Sequence, residues 1–598
     1  LAGTWLVIVI LAIAACGCWN GGQGAMKQPT GGSEPQTGSQ AQVGGQGEGQ
    51  SSGQGGSQAG VPSTAAEPAP GASVRTDSAN PNGIYALWYD NNNSDVFNLP
   101  YVKGGQISVQ WGDLQTGPDT YNWAPLDAGL AEAAKDHRIV SVQANGNNKP
   151  AYLFDNVPYT SNWGEVQVRD KRGVLMYWHP IFEKAYLEFI AHFADHLNHS
   201  PYRSTILGVR QNFNAVGTEK LPVPKDKQPL SAWTIPAGDK EASAWTKKAQ
   251  LDYQKKVLDA FVNGFVKGQQ NPIPVFVRNN LEEQLVEPYK EDFSTGVLSW
   301  FHTSSEIEPR GAGVARQYEV FRNYALPGLT LGYAEPWASA WGDHGGKVDP
   351  RWTSPPQWNY WRLLSDLSMG ISYIGVYSND LKVALDGTYA RKQVGDDYKR
   401  QFDEAYRWAA KYAGFHDDAE HSPGAWVAFR QSEEIKGSDY NEKVTDYSML
   451  ATLLNPQDTI GMDARKDGVA APVVANRTVA GVKSIGPYAE RYGAWARKLP
   501  GGKSMGIKLD PKFVQSLDGG AAKVNVTYLD DQAGRSFTVT VDGTAHKVDL
   551  TGSGSWKTES IGLAKAAFAA DADGANVRVS SEAGGDVIFH MVEVVRGQ

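Results

Sequence analysis

The sequence predicts an α/β chain: a (β/α)8 barrel followed by a C-terminal antiparallel β-sandwich of the jelly-roll kind. Three observations predict it. Eight short apolar segments recur between Gly83 and Tyr377, several of them separated by stretches of helical periodicity. No glycine-rich nucleotide fingerprint follows the first of them, which weighs against an open doubly wound sheet. Beyond about Glu420 the helical period stops, and strands alternate with Gly, Asp and Asn turns.

In chain order, LVIVILAIAA (6–15) is too short for a membrane span and fits the apolar region of a signal peptide. Cys16 follows at once, and Ile13-Ala14-Ala15-Cys16 resembles the bacterial lipobox. Residues 1–16 are therefore expected to be a lipoprotein signal peptide ending in a lipidated Cys16. The alternative is an ordinary cleaved signal or a short anchor. Residues 17–78 are rich in Gly, Ser and Gln and nearly free of large apolar groups, so they read as a disordered tether. Anchor and tether together place the chain at a bacterial cell surface or in the periplasm, held to the membrane by lipid.

Residues 79–420 carry the barrel. Its strands are expected at 83–89, 105–111, 138–144, 205–213, 273–279, 296–302, 329–335 and 371–377. IFEKAYLEFIAHFADHLNH places Tyr186, Phe189, Ile190, Phe193 and Leu197 on one helical stripe. LDYQKKVLDAFVNGFVKG does the same with Leu258, Phe261, Val262 and Phe265, and DDYKRQFDEAYRWAAKYAG is a further amphipathic helix. Residues 421–598 form the sandwich, with clear strand signals from SMGIKLD to DVIFHMVEVV and less regular ones in GAWVAFR and DYSMLATLL.

A chain of 598 residues exceeds one hydrophobic core. Its 19 Trp and 26 Tyr suit both cores and flat sugar faces. A net charge of −9 argues against nucleic acid as a partner. The only cysteines are Cys16 and Cys18, so the folded part has neither a disulfide nor a cysteine metal site.

Barrel enzymes do their chemistry at the C-terminal ends of the strands. Two acids fit there: Glu219 after GVRQNFNAVGT, and Glu335 closing LTLGYA. Glycosidic cleavage needs such a pair, one carboxyl protonating the leaving oxygen and the other attacking or stabilising the anomeric carbon. Acids ending strands four and seven resemble the pattern of clan A glycoside hydrolases. VQWGDLQTGPDTYNWAPLDAGLAEAA is similar to the strand-two region of family 42 β-galactosidases and their relatives, and the AVGTE spacing at 215–219 resembles distant members of that group, including some enzymes that cut red-algal galactans. The resemblance spans roughly residues 83–420. It implies Glu219 as acid/base and Glu335 as nucleophile. Two positions depart from it: Thr218, not Asn, precedes Glu219, and strand two has no arginine. Glu306 and Glu308 are the fallback acids.

Around the same rim, Tyr333 shares a strand face with Glu335. His302, Asn212, Asn214 and Asn279 are candidate hydroxyl partners, each with a structural alternative. Trp111, Trp163, Trp300, Trp337 and Trp341 are candidate sugar platforms, with about half expected in the core. Arg210 and Arg278 suit either an anionic sugar group or structural ion pairs. In the sandwich, Asp530, Asp531, Asp571 and Asp573 are candidate ligands for a structural Ca²⁺, or simply solvated turns. The barrel chemistry needs no cofactor. The expected function is retaining hydrolysis of O-glycosyl bonds in a plant or algal polysaccharide, galactan first. The alternative is a glycan-binding surface lipoprotein on a degenerate barrel. No clustered His/Asp signature at strand ends supports a metal-dependent hydrolase.

Overall fold

A computed structural model describes residues 81–87, 94–161, 170–215, 217, 221, 229–278, 281–302, 332–334, 355–389, 391–430, 446–463, 478–479, 482–483, 490–493 and 495–597. The first eight strands are β1 (Gly83–Leu87), β2 (Val102–Gln110), β3 (Ile139–Asn145), β4 (Ile206–Arg210), β5 (Val275–Arg278), β6 (Leu298–His302), β7 (Gly332–Ala334) and β8 (Ile371–Tyr377). All eight pair in parallel, each with its neighbours in sequence, and β8 returns to β1, closing the barrel. The expected (β/α)8 fold is therefore present. β8 spans the residues read from the sequence, and β2 begins earlier, at Val102.

Among the described residues six longer helices pack around it: α1 (Ala124–Lys135), α2 (Pro180–Asn198), α3 (Lys247–Phe265), α4 (Pro355–Ser368), α5 (Ser378–Asp386) and α6 (Asp396–Tyr412). α2 starts where Pro180 presets the first turn and the buried His179 accepts a bond from the Ile181 amide. Its stripe of Phe182, Tyr186, Phe189, Ile190, Phe193 and Leu197 is buried against the barrel. α3 is capped by Thr246 and buries Tyr253, Val257, Leu258, Phe261, Val262 and Phe265. Alternation along the strands separates two cores. Ile107, Val109, Val140 and Val142 face the helices, whereas Tyr85, Leu87, Phe276, Phe301, Tyr373 and Tyr377 fill the barrel.

Among the described residues twelve further strands build the sandwich. They are β9 (Gly424–Ala428), β10 (Tyr447–Met449), β11 (Ala451–Leu453), β12 (Ile460–Asp463), β13 (Trp495–Leu499) and β14 (Ser504–Leu509). After the short helix α7 (Pro511–Leu517) come β15 (Ala522–Asp530), β16 (Ser536–Val541), β17 (Thr544–Asp549), β18 (Ser555–Leu563), β19 (Val577–Ser581) and β20 (Val587–Arg596). β20 is the spine of one sheet, pairing with β15 on one edge and with β9 and β13 on the other. The second sheet runs β11–β14–β19–β16–β17. DYSMLATLL is not one strand: Leu450 adopts φ 58°, and β10 and β11 on either side of it enter different sheets.

Strand period also fixes sandwich to barrel. In β9, Ala425 and Val427 point into the sandwich core, while Trp426 and Ala428 join the core shared with the barrel helices. Trp361 of α4 meets Trp495 edge-on at 4.9 Å. Tyr360 OH and His590 Nε2 lie 2.9 Å apart. Glu593 of β20 is held by Trp408, Lys411 and Tyr412 of α6 and by Asn525 of β15. Among the described residues no helix is long and apolar enough to cross a membrane.

Candidate active site

The inward face of β2 and β3 is polar rather than aliphatic. Gln106, Ser108 and Gln110 stand opposite Ser141, Gln143 and Asn145 in register. They form a ladder. Gln143 Nε2 donates to Gln106 Oε1 and to Ser108 Oγ, both at 3.2 Å, and Asn145 Nδ2 donates to Ser108 Oγ at 2.8 Å. The segment after β4 continues it, since Asn212 Nδ2 donates to Asn145 Oδ1 at 3.0 Å and to the Ala144 carbonyl at 3.1 Å. Asn214 Nδ2 reaches the same carbonyl at 3.1 Å, with its own backbone at φ 51°, a region asparagine tolerates. A backbone carbonyl only accepts, so these bonds fix the orientation of both amides.

The opposite side of the barrel is aromatic. Tyr85 stacks on Tyr373 at 3.8 Å, and the Arg210 guanidinium lies 4.3 Å from the centre of the Phe301 ring. Arg278 lies 5.7 Å from the same ring. Burial pushes the Tyr85 hydroxyl well above its ordinary pKa, and Tyr373 adds to this. Burial also raises the Tyr373 hydroxyl, against a bond with Ser141.

The loops after β2, β3 and β4 are tied together at the rim. Gly112 N–H donates to the Asn148 carbonyl at 2.9 Å, and Gly146 N–H to the Gly217 carbonyl at 2.8 Å. From outside, Tyr186 OH holds the Asn212 carbonyl and Tyr253 OH the Phe213 carbonyl, at 2.7 and 2.6 Å. Tyr159 and Thr234 exchange two backbone bonds between the longer parts of the β3 and β4 loops. Lys149 is buried in this corner, its Nζ donating to the Gly146 carbonyl at 2.8 Å. Burial pushes its amine down to about 7, partly opposed by Asp170.

The sequence-predicted residues divide into four groups. Arg210 and Arg278 close β4 and β5, and Asn212 and Asn214 follow β4 in the loop beyond it. Tyr333 and His302 have their backbones on the adjacent strands β7 and β6, where Phe301 pairs with Tyr333 and His302 with Ala334. Glu219, Asn279, Glu335, Trp337, Trp341, Trp163, Glu306 and Glu308 lie outside the described residues. Two tryptophans are corrected. Trp111 has no exposed surface and packs its indole on Phe182, Tyr186 and Phe189 of α2, so it is core and not a sugar platform. Trp300 is likewise buried among the apolar groups behind β6.

The proposed Ca²⁺ ligands are corrected too. Asp530 accepts from Thr551, Gly552 and Ser553 and pairs with Lys557 at 2.6 Å, so hydrogen-bond donors occupy its oxygens. Asp531 pairs with Arg535, and Asp571 and Asp573 both engage Arg578. Among the described residues no three acid, His or Cys side chains are placed to hold a metal ion. Sequence reasoning missed Gln106, Ser108, Gln143, Asn145 and Lys149. The signal for the first four was present, as polar residues at alternate positions in GQISVQ and VSVQAN.

No family model matches the chain, and no curated protein matches it in sequence. Among solved structures it is similar to xylanase 10C of Cellvibrio japonicus in complex with xylopentaose, at TM-score 0.32 and 11% identity over 56% of this chain and 68% of that one. It is also similar to the catalytic domain of a β-amylase from Paenibacillus polymyxa, at TM-score 0.33 and 12% identity, over 55% and 98% of the two chains. Xylanase 10B of Thermotoga petrophila, in complex with xylobiose, gives TM-score 0.31 and 10% identity, over 57% and 100%.

Proposed function

We propose that the chain is a retaining glycoside hydrolase acting on a plant or algal polysaccharide, with galactans the first candidates. Glu335 attacks the anomeric carbon while Glu219 protonates the leaving oxygen. Glu219 then deprotonates the water that releases the glycosyl-enzyme. The observation that carries this reading is where the described rim ends. Ala334 closes β7 in register with His302 and Ile374, and Glu335 is the next residue in the chain. Gly217, pinned to Gly146 at the end of β3, is two residues before Glu219 in the chain. The amide ladder of Gln106, Ser108, Gln143, Asn145 and Asn212 suits the hydroxyls of a sugar ring. Lipidation of Cys16 would hold the enzyme at the cell surface, with the 17–78 segment as its reach.

The test is turnover by the full chain on galactans, other polysaccharides and aryl glycosides, beside Glu335→Gln and Glu219→Gln. Each substitution is expected to lower kcat by about 10³-fold, and the first product should keep its anomeric configuration. Activity that survives either change would show that the wrong carboxylate has been chosen. A native chain that binds glycan but cuts none would favour the non-catalytic reading, to which Thr218 before Glu219 already points.

A further inference from the structure

We propose that Lys149 is a positioning residue: it locks the loops following β2, β3 and β4 together and so sets Asn214 and Gly217, which precede Glu219 in the chain. The inference rests on the glycosidase reading above.

Lysine is rarely buried without an ionic partner, yet Lys149 is 4% exposed. Among the described residues its one hydrogen bond is to the Gly146 carbonyl. The nearby acids are engaged elsewhere. Asp170 pairs with Arg172 at 2.9 Å, and Asp113 on the β2 loop accepts from Asn148. Among the described residues the amine leaves water for a single carbonyl bond, which costs the fold stability. What it gains is geometric.

Its acceptor belongs to Gly146, whose own N–H holds the Gly217 carbonyl. A Cβ at Gly146 would lie 2.7 Å from both Asn214 Cβ and the Gly217 carbonyl oxygen. A Cβ at Gly112 would lie 2.7 Å from the Lys149 carbonyl carbon and oxygen. Three loops thus touch backbone to backbone at this point, and the amine is the donor that fixes the middle one. A loop whose carbonyl is released turns its N–H away from Gly217, and the β4 segment loses its register with β3.

The test is Lys149→Met in the full chain, which keeps the length of the side chain and removes the donor. Hydrogen exchange of the Gly146 amide is expected to accelerate about tenfold or more. Turnover should fall by a similar factor with KM within about twofold, because only the approach of the acid is disturbed. The melting temperature should match or exceed that of the native chain. Gly146→Ala, which strains the same junction from the other side, should lower kcat in the same way. Unchanged exchange, unchanged kcat, or a lower melting temperature would each overturn the proposal; the last would make Lys149 an ordinary structural residue. If the native chain turns over no glycan, the glycosidase reading falls on its own, and exchange at Gly146 decides whether Lys149 locks the loops.

Discussion

Glu593 is the sharpest test of how the two halves of the fold are joined. Its carboxylate is buried in the sandwich sheet but serves the barrel helix α6. Oε1 accepts from Tyr412 OH at 2.5 Å, Trp408 Nε1 at 3.1 Å and Lys411 Nζ at 3.4 Å, and Oε2 accepts from Asn525 Nδ2 at 2.7 Å. Glu593→Ala leaves a hydroxyl, an indole N–H and an amide without an acceptor. The Tyr412 hydroxyl is sealed from water and bears the full penalty of an unmade bond, about 1–3 kcal/mol. Trp408 and Asn525 are half-buried and recover part of theirs from solvent. The expected cost is about 3–5 kcal/mol, in the range for breaking a buried charged pair. Glu593→Gln keeps one acceptor oxygen but turns its NH₂ toward Asn525, whose own oxygen already accepts from Ser560, so about 1–2 kcal/mol is expected. Guanidinium unfolding followed by tryptophan fluorescence measures both, and a second transition in the alanine variant would mark the sandwich separating from the barrel. An alanine variant within about 1 kcal/mol of the native chain, or equal to the glutamine variant, would refute the reasoning.

Gly104→Ala should cost about 3 kcal/mol or abolish soluble expression, because a Cβ there would sit 1.7 Å from the Ile139 carbonyl oxygen where β2 meets β3. Circular dichroism melts would show it. Asp530→Ala should cost roughly 3 kcal/mol at pH 7 by orphaning the donors of the 551–553 turn. Burial acts to raise the Asp530 carboxyl, but bonds from Lys557, Thr551 and Ser553 overcome this and hold it well below the usual range. Its stabilising effect is therefore complete above about pH 4 and fades as pH falls, so the variant should lose the least relative to native in acid melts. Lys149 runs the opposite way along the basic limb. Its folded pKa of about 7 lies below the unfolded value, so its penalty, at most about 5 kcal/mol, is full below pH 7 and disappears as pH rises toward 10. The stability advantage of Lys149→Met should shrink over that interval, and a constant advantage would contradict a desolvated amine.

The architecture was legible in the residues, because strand and helix periods are local properties of a chain that must bury one face of each element. Eight apolar segments, the stripe on α2 and the loss of helical period after Glu420 are enough to write the barrel and the sandwich. The sequence also carried the polar alternation of β2 and β3, although only pairing showed that Gln106, Ser108, Gln143 and Asn145 meet inside the barrel. Packing of the assembled elements settled what lies at the rim and what lies behind it. Trp111 follows directly on β2, among the residues of a rim, yet its ring turns outward onto α2, because a large apolar surface finds more to bury between helix and strand than at a wet mouth. Leu450 splits one apolar run between two sheets, a choice made by the partners β9 and β14 rather than by its own residues. Lys149 was invisible for the same reason: nothing local buries a lysine, and only the convergence of three loops encloses its amine.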